Sequence, residues 1–358
     1  MADSAQPSGG QPDPRRIVLV IGPGRSGTST IAGALVKSGF EVPGKAIKGN
    51  PTNPSGFFEP RWVVDFHKEL LDRTHVNTLD SAPDAYDRVT ELVLKDQARD
   101  TLRSWLSKRL EEQPRLVVKD PRTVWFRELW VQTARELGVE TGFVTMLRHP
   151  AEVSASREKY YAKTEGGSRR ADDIARIAGW VNVALTSERI TQGSPRAFVR
   201  YTELVSDWRS VLTRVGGALD LSFDPGPEVS PHPVDEFIDP SLHRVQVDWS
   251  DVEIPEALRD LGERTWAGLT RLADTGESAD VVADLEALRA EYTQMTEDAF
   301  ALNRQAIRRL EGEARRRGRR QAAKESTGAA RAAEPAESAE PSRAGLTDVW
   351  RKLRGGTP

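Results

Sequence analysis

The chain has no cysteine among its 358 residues. That excludes a disulfide framework and any thiolate metal site. Methionine occurs three times and histidine five times, so imidazole chemistry has few places to reside. No apolar run reaches the length of a bilayer-spanning helix. Residues 1–14 (MADSAQPSGGQPDP) are polar and rich in glycine and proline. They lack the apolar centre of a signal peptide and read as a disordered leader. A soluble, cytoplasmic protein is therefore expected. The formal net charge is only −3, which argues against general nucleic-acid binding. One more absence is local: the glycine-rich stretch VLVIGPGRSGTST, 18–30, has Thr28 where a nucleotide triphosphatase carries lysine.

The hydrophobic share of 38% is enough for a large α/β domain with an extension. RIVLVI, 16–21, is a short, largely β-branched and apolar run with almost no alternation, which suits a strand buried on both faces of a parallel sheet. A glycine turn follows, then STIAGALVKSGF with helical apolar spacing and Gly39 as its stop. RLVVKDPR, TGFVTMLRHP and RAFVRYTEL are three further strand-like runs, with helical patterns between them at 92–110 and 123–137. This alternation predicts a three-layer α/β/α fold, P-loop-like, around a central parallel sheet. Ligands in such sheets bind beyond the carboxyl ends of the strands. The four runs deliver Arg25, Lys119, Arg148 and Tyr201 to those ends. The expected organisation is a leader at 1–14, an α/β domain at 15–275, a long helix at 280–321 and a disordered tail at 322–358.

In the long helix Leu285, Leu288, Tyr292, Met295, Ala299, Leu302 and Ala306 recur at steps of three and four. Either the helix folds back on its own domain or it forms a coiled coil, with a homodimer as the consequence. The tail ends in Leu346, Val349, Trp350 and Leu353 on one helical face beside Arg351, Lys352 and Arg354. This is either a peripheral membrane-surface or docking helix, or accidental periodicity in a weak tail.

A Walker loop uses its lysine against the β- and γ-phosphates and its hydroxyl for magnesium. Without the lysine, the loop can still wrap one phosphate with backbone amides and a helix N-terminus. Thr28 and Ser29 add hydroxyl donors, and Arg25 points toward the bond being broken. The expected ligand carries one 5′-phosphate-like group with the transferring group beyond it.

GPGRSGTS, 22–29, resembles the 5′-phosphosulfate loop of the sulfotransferase family, which uses 3′-phosphoadenosine 5′-phosphosulfate (PAPS). The resemblance assigns Gly22, Gly24, Arg25, Ser26, Gly27, Thr28 and Ser29 to that co-substrate. LRHPAEVSAS is similar to the family's second motif, an arginine at a strand end and a serine eight positions later; here these are Arg148 and Ser156, implied holders of the 3′-phosphate. Lys119 of KDPR resembles the lysine that approaches the sulfonyl group. Asp120 either orients Lys119 or caps the helix after Pro121, and the cap is the expected role. The segment NPSGFFEP resembles a glycine–aromatic–aromatic–glutamate segment of bacterial members, which makes Glu59 the candidate base, with His67 as the alternative. Tyr201 either packs near the adenine or belongs to the core.

The resemblance spans roughly 16–245. It lacks the family's C-terminal arginine loop, for which DPSLHRV with His243 and Arg244 is the only stand-in. It implies a sulfotransferase acting on a carbohydrate, glycolipid or hydroxylated metabolite, with no metal. Trp62, Trp125, Trp130 and Trp180 are either an acceptor stacking surface or ordinary core, and Arg157, Lys159, Arg169 and Arg170 either favour an anionic acceptor or form a solvated face. The alternatives are an ATP-dependent kinase with a degenerate Walker loop, and an inactive scaffold acting through the C-terminal helix.

Overall fold

The structure is a computed structural model that describes residues 15–50, 53, 56–95, 97–161, 168–238 and 248–332. The leader, DPSLHRV and the 346–354 helix therefore lie outside the described residues. In chain order the elements are β1 (Arg16–Ile21), α1 (Thr28–Val36), α2 (Arg61–Thr74), α3 (Ala85–Lys95), α4 (Ala98–Glu112) and β2 (Arg115–Lys119). A 3₁₀ helix (Pro121–Phe126) leads to α5 (Arg127–Glu136), β3 (Glu140–Leu147), α6 (Pro150–Tyr161), α7 (Arg169–Thr191) and β4 (Arg196–Arg200). The chain then runs through α8 (Tyr201–Ser206), α9 (Trp208–Leu219), α10 (Pro233–Phe237), α11 (Glu256–Thr275) and α12 (Ala279–Ala332). The helical pattern expected at 92–110 is two helices, α3 and α4. The pattern at 123–137 begins as the 3₁₀ turn.

Among the described residues the sheet has four strands, all parallel, in the order β2-β1-β3-β4. β1 shows why its sequence has no polar alternation. Ile17, Leu19 and Ile21 pack on one side with α2, α3, α4 and α5, through Val63, Leu70, Val89, Leu102 and Trp130. Val18 and Val20 pack on the other with Ile31 and Leu35 of α1, Leu204 of α8 and Val211 of α9. A side chain so covered contributes about 1.5–3 kcal/mol. Two covered faces make this a three-layer α/β/α domain.

A third cluster joins α7, α11 and the start of α12 through Trp180, Leu185, Leu269, Leu285, Leu288 and Tyr292, with Met295 against it. The first four members of the heptad-like stripe are thus the domain's own core contacts. One compact unit extends to Glu297 and a second begins at Asp298. α12 continues helical to Ala332. Its Ala-rich stretch after 320 favours that state.

Strand order fixes where a ligand can enter. β1 leads to β2 on one side, and the chain then returns past β1 to β3 on the other. The crevice between the ends of β1 and β3 is the topological switch point, the usual ligand position in such sheets.

Candidate functional site: the switch point between β1 and β3

The glycine loop leaves β1 at this crevice. Gly22 has φ +117°, and a Cβ there would lie 2.7 Å from the Met146 carbonyl oxygen of β3. Only glycine lets the loop press that closely on the neighbouring strand. At the other end Gly27 is the N-cap of α1, with φ +89°, and it makes no side-chain cap. The 3₁₀ helix, α7 and α9 are capped by Asp120, Ser168 and Asp207. Among the described residues the first amides of α1 have no such side-chain cap, a state α1 shares with α2, α4, α5, α8 and α11, and at the end of a glycine loop it leaves donors that suit an anion.

Gly27 also makes room for Tyr201, whose Cδ2 would lie 2.3 Å from a Cβ at that position. Tyr201 opens α8, is buried, and carries the Arg148 guanidinium 4.9 Å from its ring centroid. Burial pushes the phenol above its ordinary pKa, against the pull of Arg148.

Arg25 sits within the loop at φ +78°, a left-handed conformation costly for a side chain with a Cβ. Its Nε donates to Ser156 Oγ at 3.1 Å, across 131 residues of sequence. Arg148 Nη1 donates to the Arg25 carbonyl at 3.4 Å, and Arg148 Nε donates to Glu152 Oε2 at 2.7 Å. Loop, arginine, serine and tyrosine therefore form one cluster. Its geometry differs from the sequence expectation in that Ser156 meets Arg25 and Arg148 meets Glu152. Glu152 had a sequence signal, an acid four residues after the arginine.

Ser26 is fully buried, and its Oγ has no hydrogen-bond partner among the described residues. Thr28 is buried as well. Ser29 has partners within the chain. Its hydroxyl donates to the Phe57 carbonyl at 3.4 Å and accepts from Asn53 Nδ2 at 3.3 Å. Asn53 carried no sequence signal. At Gly24 a Cβ would meet Pro121 at 3.7 Å and Arg157 Nη1 at 4.0 Å. That contact places the end of β2 and α6 beside the loop.

Lys119 ends β2, level with Val20 of β1. Its side chain is 3% exposed, and its Nζ donates to Glu59 Oε1 at 2.5 Å. Glu59 lies just before α2. Its backbone is held by the Ile47 amide at 2.8 Å, and the Arg61 amide bonds the Lys45 carbonyl at 2.9 Å. Phe58, at φ +54°, stacks edge-on against Phe237 of α10 with centroids 5.6 Å apart. That ring in turn occupies the space a Cβ at Gly33 would need. The two residues named from separate motifs are thus one ion pair.

Asp120 takes the capping role. Its Oδ1 accepts from the Arg122 amide at 3.1 Å and from Arg122 Nη1 at 2.8 Å. Its Oδ2 faces His67 Nδ1 at 2.9 Å, with both side chains fully buried. Trp130 Nε1 donates to His67 Nε2 at 3.0 Å, which assigns the ring proton to Nδ1. Burial lowers the His67 pKa, and Arg122 acts in the same direction, against Asp120. Burial pushes the Asp120 carboxyl up, but the His67 hydrogen bond and Arg122 outweigh it and hold it low. Both His67 nitrogens are engaged in the core, so His67 is no candidate base. Trp125, Trp130 and Trp180 are at most 1% exposed and are core residues, not a stacking surface. Trp62 is half-buried and stacks between Phe66 and Trp105, with centroids at 4.8 and 4.4 Å. Arg169 and Arg170 are exposed, and Arg169 donates to the Asp251 carbonyl at 2.7 Å.

No protein-family model matches the chain, and no curated protein does. Among solved structures it is similar to the sulfotransferase domain from the Synechococcus PCC 7002 olefin synthase. That domain is 18% identical with a TM-score of 0.36, and the match spans 81% of this chain and 98% of that one. It is also similar to the sulfotransferase domain from the curacin biosynthetic pathway, 16% identical with a TM-score of 0.39, over 72% of this chain and 98% of that one.

Proposed function

We propose that the protein is a PAPS-dependent sulfotransferase that esterifies an acceptor hydroxyl, borne by a carbohydrate, glycolipid or other hydroxylated small molecule. The observation that carries this reading is the meeting of Arg25, Ser156, Arg148 and Tyr201 at a lysine-free phosphate loop. Ser26 Oγ, buried and unpartnered among the described residues, suits a phosphate oxygen as acceptor. The uncapped N-terminus of α1 offers further donors to the same group. Arg148 and Ser156 are the residues assigned to the 3′-phosphate.

The bound donor supplies an activated sulfonyl group on an anhydride oxygen. In this reading Arg25 and Lys119 stabilise the charge that develops on oxygens during transfer, and fixed cations in that role lower the barrier. Glu59 holds Lys119 in place at 2.5 Å and presents a carboxylate oxygen to take the acceptor's proton. The acceptor oxygen bonds sulfur as the sulfur–anhydride oxygen bond breaks, and the leaving group keeps that electron pair. The products are a sulfate ester, adenosine 3′,5′-bisphosphate and the proton on Glu59. Side chains and amides meet the charge, so no metal is assigned a step.

Calorimetric binding of adenosine 3′,5′-bisphosphate, set against ATP with magnesium, tests the reading. Bisphosphate should bind and be lost on Arg148→Ala. Preference for magnesium ATP would overturn it in favour of a kinase. Failure to bind either would favour an inactive scaffold.

A further inference from the structure

From Asp298 the chain belongs to its second unit, and the helical stretch 298–320 has a composition unlike the rest. Residues 304–320 hold eight arginines against two glutamates, a net +6 in a chain whose total is −3. The remainder therefore carries a net −9, and positive charge is concentrated on this one segment.

The arrangement around the helix is more specific than the count. At about 100° per residue, Ala306, Leu310, Ala314, Ile307 and Phe300 fall within an arc of roughly 120°. Asn303 and Arg317 also fall within that arc, whereas Arg304, Arg308, Arg309, Arg315, Arg316, Arg319 and Arg320 lie on the rest of the circumference, with Glu311 and Glu313 beside the arc. Phe300 and Leu310 on this arc are 60% and 58% exposed. A solvated aromatic and a solvated leucine on one face, with an arginine-rich face opposite, is the pattern of a helix lying in a charged lipid interface.

We propose that this face of α12 binds an anionic lipid surface, with the arginines at the headgroups and Phe300, Ile307 and Leu310 in the acyl boundary. Two features separate this from other occupants. A second copy would need the heptad seam to continue, yet Leu285, Leu288, Tyr292 and Met295 are used in the chain's own core. The next seam positions after Ala306 are Arg309 and Glu313. A nucleic acid would meet the arginines but leave the apolar arc in water. Only a lipid interface satisfies both faces.

The test is co-sedimentation of the full chain with phosphatidylcholine vesicles, with and without phosphatidylglycerol. Binding is expected only to the anionic vesicles. Each surface arginine is worth about 1 kcal/mol, or roughly fivefold. The R308Q/R309Q/R315Q/R316Q variant should therefore partition at least about a hundredfold more weakly. The F300A/I307A/L310A variant keeps helix-favouring residues and should lose at least about tenfold. No binding to anionic vesicles would overturn the proposal, as would binding indifferent to F300A/I307A/L310A. Tighter binding to duplex DNA at equal salt would overturn it too. So would a solution dimer dissociated by F300A/I307A/L310A.

Discussion

Ser26→Ala should make the ligand-free protein more stable and the nucleotide site weaker. Ser26 is 0% exposed and its Oγ lacks a partner among the described residues. A buried hydroxyl in that state costs about 1–3 kcal/mol relative to water. Alanine removes the hydroxyl and leaves a gap of one atom, so a gain of roughly 1 kcal/mol is expected. A hydrogen bond from this hydroxyl to a phosphate oxygen is charge-assisted and worth about 1.5–3 kcal/mol, so its loss should weaken adenosine 3′,5′-bisphosphate about 10- to 100-fold. Urea unfolding without ligand measures the first effect and calorimetry the second. A third measurement links them. At a ligand concentration of about 100 times the wild-type Kd, wild type gains about 2.7 kcal/mol and the weaker variant about 0.4–1.4, so the order of stabilities should reverse. An alanine variant less stable without ligand by about 1 kcal/mol or more, or one that binds the bisphosphate like wild type, would refute the assignment of this hydroxyl to the ligand.

Three further outcomes are expected. Glu59→Gln should strand the 3%-exposed Lys119 side chain and lower stability by about 2–3 kcal/mol, less than for a fully buried pair because Glu59 is 14% exposed. The Glu59→Gln/Lys119→Met double variant should recover much of that stability without recovering turnover, and additive losses in urea unfolding would show that the two side chains are not coupled. Gly27→Ala puts a Cβ 2.3 Å from Tyr201 at φ +89° and should cost about 2–4 kcal/mol together with bisphosphate binding, both read in one thermal-shift titration. The buried, neutral His67 has a folded pKa below its ordinary 6.5. Its contribution is present in full above that value and is lost as pH falls toward the folded pKa, because the unfolded chain takes the proton first. Stability should fall by up to about 1.4 kcal/mol per pH unit just below 6.5, and His67→Asn should flatten that slope in unfolding curves measured across the window.

Local interactions made much of the fold legible. β1, the glycine turn and α1 follow from five consecutive apolar residues at 17–21, from two glycines at positive φ and from helical spacing, all within 16–36. The Asp120–Pro121 cap is likewise written in adjacent residues, since the carboxylate bonds an amide two positions on. The heptad-like stripe announced a buried helix face, but its period is the same whether the partner is the chain's own core or another helix. Only packing decided that Leu285 to Met295 belong to the former.

The site divides along the same line. Sequence determined which side chains stand at strand ends, because strand length and turn chemistry are local properties. Tertiary structure decided which of them meet. Arg25 reaches Ser156 across 131 residues and Lys119 reaches Glu59 across 60, through a strand order that no single segment encodes. It also took His67 and three tryptophans out of contention by burying them, and turned Ser29 toward Asn53. A residue type fixes what a group can do, whereas its neighbours in space fix whether it is free to do it, and those neighbours are set by long-range packing.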